Sequence, residues 1–69
     1  MSSDVFKVVE IVGSSPDGVD AAIRNAIDRA SKSIRHIGWF EVMETRGHVE
    51  DGRVAHYQVT LKIGFKLDA

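Results

Sequence analysis

The stretch that decides the fold is Ala55–Leu67, AHYQVTLKIGFKL. Its odd positions are Ala55, Tyr57, Val59, Leu61, Ile63, Phe65 and Leu67, and its even positions are His56, Gln58, Thr60, Lys62, Gly64 and Lys66. Successive side chains of a strand point to opposite faces, so this pattern predicts one long strand. Its odd face lies on a core, and its even face turns to water, a cavity or a partner. Just upstream, Glu50-Asp51-Gly52 carries the turn chemistry of a hairpin, and Trp39–Arg46, WFEVMETR, reads as the strand that pairs through it.

Towards the start of the chain, Val5–Val12, VFKVVEIV, is short and β-branched, which predicts a strand covered on much of both faces and ended by Gly13. Ser14-Ser15-Pro16-Asp17 then reads as a helix start, with Ser15 as N-cap, Pro16 at the first helical position, and Asp17 and Asp20 near the positive end. Val19, Ala22, Ile23, Ala26, Ile27, Ala30, Ile34 and Ile37 recur at helical spacing and form one apolar stripe, with Gly38 placed to close the helix. The alanines leave a shallow surface that lets the helix lie close to a sheet.

The order is therefore β-α-β-β, an α+β fold: a three-stranded antiparallel sheet with one amphipathic helix on one face. The most regular strand is the centre. The two flanking strands then run the same way, joined by a right-handed helical crossover. A chain of 69 residues makes one domain, 1–69, and sits just below the roughly 70–80 residues at which a lone core becomes comfortable. With only one sheet face covered, the fold is expected to be completed by copies of itself.

Composition narrows the function. Nine Lys plus Arg against ten Asp plus Glu, without a basic block, give no electrostatic footprint for nucleic acid. There is no Cys, which removes thiolate chemistry and iron–sulfur ligation. His36, His48 and His56 show no familiar metal-ligand spacing. The opening residues carry no basic targeting region and no apolar run is long enough for a bilayer, so a cytoplasmic protein without membrane association is expected. No nucleophile elbow or carboxylate pair speaks for an enzyme.

Register points to a site. Burying Phe40 and Val42 beside Phe65 and Ile63 puts Trp39, Glu41, Met43 and Thr45 on the same open face as Gln58 and Lys66, with Trp39 opposite Lys66. An aromatic plane, a cation and an amide on one patch suit a planar ligand carrying a phosphate. Strict alternation would bury Arg46, so a bulge near Arg46-Gly47 is expected to swing it toward Gln58. Each residue also has a plainer reading: Trp39 as an interface anchor, Gln58 as a solvent-facing strand residue, Lys66 as an edge charge, and Arg46 as an ion-pair partner of Glu41 or Glu44.

VEIVGSSPDGVDAAI, WFEV followed by Arg46-Gly47, and YQVTLKIGFKL together resemble the dodecin family over nearly the whole chain. The resemblance implies a hollow homododecamer of small flavin-binding subunits. In it, flavins stack as antiparallel pairs at a two-fold interface between Trp residues of neighbouring subunits. Trp39 stands at the position of that Trp, and Gln58 at that of the amide bonding the isoalloxazine edge. Arg46 and Lys66 match basic positions that reach the phosphate of FMN, Lys66 standing where Arg is commoner. Storage or buffering of flavin and quenching of its photochemistry follow from the resemblance, with FMN as the cofactor and riboflavin or FAD as alternatives. Some members also hold coenzyme A, and Phe6, Arg29 and Lys32 lie in the corresponding regions. The competing reading is a small oligomeric sheet that presents Trp39 to a protein or to single-stranded nucleic acid.

Overall fold

A computed structural model describes residues 4–68. Strand β1 spans Phe6–Ser15, helix α1 Val19–Ala30, strand β2 Ile37–Glu50 and strand β3 Arg53–Lys66. The sheet order is β1-β3-β2, antiparallel on both sides of β3, as the alternation in β3 requires.

The core forms where α1 meets the odd face of β3. Val59, Leu61 and Ile63 are fully buried, and Ala22, Ala26 and Ala30 are the buried residues of the helix. Close approach depends on small residues on both sides. Gly13 does not end β1 but pairs with Val59 inside it, and a Cβ there would run into the carbonyl of Ala22 and lie 2.8 Å from the Ala26 Cβ. Residues Asp51 and Gly52 have φ of 51° and 75° and join β2 to β3 as a two-residue turn of the kind that matches strand twist.

Both ends of the helix differ from the sequence expectation. Ser15 is still a β1 residue, paired with Tyr57 and buried, and its Oγ accepts the Asp17 N–H at 3.0 Å. It therefore shapes the connection and does not cap the helix. Pro16 and Asp17 precede the helix. The N-cap is Gly18, at φ 143°, with no side-chain cap, and its carbonyl accepts the Ala22 N–H at 3.0 Å. At the other end α1 stops at Ala30, where Ser31 continues the backbone bonding to Ile27 and the Ile34 N–H closes on Ala30 at 2.8 Å. His36 then takes φ 64° and reverses the chain. Ile37 and Gly38 belong to β2, because pairing of Ile37 with Phe65 claims them for the sheet.

Strand β2 runs past the helix. Phe40 and Val42 do share the helix side of the sheet with Ile63 and Leu61, yet they stay 48% and 42% exposed because α1 packs on β1 and β3. Likewise Phe6, Val8 and Val12, on the opposite face of β1, remain exposed. The β-branched pattern of β1 suits cover on both sides, and a single chain supplies it on one.

Candidate functional site

The even side chains of β3 and their cross-strand neighbours make up the bare face of the sheet. Register places Trp39 opposite Gly64, and Lys66 opposite Phe6. Trp39 is therefore not opposite Lys66, as the expected pairing had it: Phe40 pairs with Ile63 instead of Phe65, two residues along from the expected register, and an irregularity lies between Ile37, opposite Phe65, and Trp39. The reason for this placement lies in Gly64. The indole rests directly over its Cα, in the volume a Cβ would need. Phe6 closes one edge of the indole, ring centroids 5.2 Å apart and tilted by 58°. Held from below and from one edge, Trp39 keeps 43% of its surface exposed.

Further along the same face, Arg46 pairs with Gln58, and its Nε donates to Gln58 Oε1 at 3.1 Å. The bulge that turns Arg46 this way lies between Val42 and Glu44, not at Arg46-Gly47, so Met43 is the extra residue. Thr45, now opposite Val59, moves to the helix side. Arg46 also lies 3.7 Å from Glu44 across an exposed ion pair, so it serves Gln58 and Glu44 together. The bond to Gln58 aligns the amide and occupies its oxygen, which leaves the Gln58 N–H donors free to act.

These residues form two clusters, not one patch. Trp39, Phe6, Gly64 and Lys66 lie at one end of β3; Gln58 and Arg46 lie at the other. Six strand positions separate Gln58 from Gly64, roughly 20 Å at the rise of a strand. A tricyclic ligand about half that length cannot touch both within one chain. Lys66 is itself paired with Asp4 at 3.2 Å, and both are about half exposed. Phe6, Arg29 and Lys32 are not brought together: Phe6 is on the bare face, while Arg29 and Lys32 follow the helix on the other.

Gly64 and Phe6 were not legible as partners of Trp39. Gly64 carried a signal, since a glycine inside a strand marks close approach by another group.

The architecture defines a class: small β-α-β-β proteins with a helix on one face of the sheet and a bare, partly aromatic face on the other. The family model described as Dodecin matches residues 5–68. A curated dodecin from Thermus thermophilus is 50% identical over 64 residues, covering 93% of each chain. The solved dodecin of Streptomyces coelicolor superposes with a TM-score of 0.95 at 56% identity, covering 100% of this chain and 99% of that one. At greater distance, the calcium dodecin of Mycobacterium tuberculosis is 32% identical over 63 residues, covering 91% of this chain and 89% of its own. The chain belongs to the dodecin family.

Proposed function

We propose that this protein is a flavin-binding storage protein, in which FMN stacks on Trp39 at interfaces between copies of the chain. The observation that carries the reading is the seat of Trp39. An indole pressed onto Gly64 and braced by Phe6 offers a fixed plane with its outer side free, as stacking on an isoalloxazine requires. Membership of the dodecin family supports flavin as the ligand and a hollow homododecamer as the assembly.

The division of the bare face into two clusters supports a site made between copies. A two-fold contact is isologous: what one copy presents to the second, the second presents to the first. Antiparallel approach of two sheets brings Trp39 of one copy toward Gln58 and Arg46 of the other, and does so twice. The Gln58 N–H donors then meet carbonyl oxygens on the ligand edge, and the guanidinium of Arg46 adds charge for a phosphate. Lys66, beside Trp39, is a second cation for that phosphate and exchanges Asp4 for it on binding. FMN uses these cations; riboflavin lacks the phosphate and FAD places further groups beyond it. Apolar cover for Phe6, Val8 and Val12 comes from the same contact.

The role is sequestration, not turnover. A ring covered on both sides, by Trp39 and a second flavin, has no open face for a second substrate, and an adjacent indole quenches its excited state. Cytoplasmic residence fits a flavin store.

The test is titration of FMN with ligand-free protein, following flavin fluorescence, with light scattering after size exclusion on the same sample. Saturable quenching by a large closed oligomer is the expected result. A monomer, or an oligomer that leaves flavin fluorescence unchanged, overturns the reading and favours Trp39 as an anchor for a protein partner.

A further inference from the structure

Beyond Ser15 the first strand has ended, and β2 and β3 continue as a two-stranded ribbon to the Asp51-Gly52 turn. Within that ribbon His48 and His56 are directly opposite each other, on the same side as Gln58 and Arg46. Their rings are stacked, 15° from parallel, with centroids 5.4 Å apart. Neither is used by the proposed flavin site. We infer that His48 and His56 form a two-imidazole chelate for a late first-row divalent transition cation, with Zn2+ and Cu2+ as the cations it takes.

Distance is the first argument. Two imidazoles sharing one cation, with metal–nitrogen bonds of about 2.0–2.1 Å at a tetrahedral angle, have ring centroids roughly 5 Å apart. The strands already hold the rings at that spacing, so binding needs rotation of the side chains and no movement of the backbone. Register is the second. The two-residue turn, together with the irregularity between His48 and Val49, fixes which residues face each other, so the backbone sets the two histidines side by side and only their stacked rings must turn to converge on a cation. Donor type is the third: neutral imidazole suits Zn2+ and Cu2+, with Cu2+ the tighter of the two.

The surroundings admit a cation. The Glu50 carboxylate lies 3.5 Å from His48 Nε2 and offsets positive charge, while Arg46, at the next pair along, is occupied by Glu44 and Gln58. Arg53 pairs with Glu50 across the ribbon. Among the described residues no set of three His, Cys, Asp or Glu side chains converges as a closed metal cage. The chelate is therefore open, with water in the remaining positions, and exchangeable. Both imidazoles must be neutral to bind, so protons compete with the cation and binding releases them.

Calorimetric titration of the assembled, full-length protein with Zn2+ at pH 7.5 tests this, with Cu2+ followed by electron paramagnetic resonance. The expected result is one saturable site per chain, with nitrogen hyperfine coupling from two imidazoles on Cu2+. His48→Ala and His56→Ala each lower affinity at least tenfold, His48→Gln does the same without emptying the space, and His36→Ala leaves it unchanged. Equal affinity in the His48→Ala/His56→Ala double variant, loss on His36→Ala, or no saturable binding by the parent protein overturns the assignment. Flavin quenching by the double variant, measured alongside, reads the two sites separately.

Discussion

On the helix side of the sheet Val59, Leu61 and Ile63 are fully buried, while on the other side of the same ladder Phe6, Val8, Val12 and Trp39 remain 43–55% exposed. Over β1 and β3 the helix side is closed by contacts within one chain, while Phe40 and Val42 of β2 stay open on it. Small residues, Gly13 and the alanines of α1, let the helix settle onto the β1–β3 half, and β2 gains nothing from it. The bare side is apolar and aromatic without cover, and its polar groups fall into two clusters too far apart to act together. One face makes a subunit. The other makes sense only against a copy.

Substitutions separate the two faces, and the largest effect is expected at Gly13. Gly13→Val forces side-chain atoms into the backbone of α1, and we expect no cooperative unfolding transition by circular dichroism. Leu61→Ala removes the centre of the helix-side core and costs about 2–5 kcal/mol in denaturant melts, while flavin stacking on the surviving folded fraction persists. Gly64→Val acts on the other face: it evicts the indole from its seat and weakens FMN quenching about a hundredfold, ~2.7 kcal/mol, with the subunit still folded. If instead Gly64→Val melts the subunit and spares quenching, the division between the faces fails. The smallest effect belongs to Glu44→Ala, which breaks an exposed ion pair with Arg46 and shifts stability by at most about 0.5 kcal/mol. Any change in FMN affinity in that variant reports how freely Arg46 moves.

The strands and their order were legible because β3 alternates without a break and needs no tertiary information to be read. Helix boundaries were not. Ser15 has the chemistry of an N-cap, but its pairing with Tyr57 keeps it in the sheet, and the cap fell to Gly18, whose conformation leaves no side-chain signature. The bulge was foreseen from the cost of burying Arg46, yet its position at Met43 depends on the register with Leu61 and Thr60. Alternation told which residues share a face; it did not tell how far apart they lie along it. Trp39 and Gln58 look like neighbours in face and are distant in length. That distance follows from six positions of β3, once Gly64 is known to lie under the indole.

The most direct test of a site shared between copies is complementation. Trp39→Ala chains and Gln58→Ala/Arg46→Ala chains, each expected to quench FMN poorly alone, are unfolded, mixed in equal amounts and reassembled, and FMN quenching is titrated. A site made from two copies predicts recovery at about a quarter of the native capacity, since half of random two-fold contacts are mixed and each restores one of its two sites. Mixed assemblies that quench no better than the separate variants would contradict it.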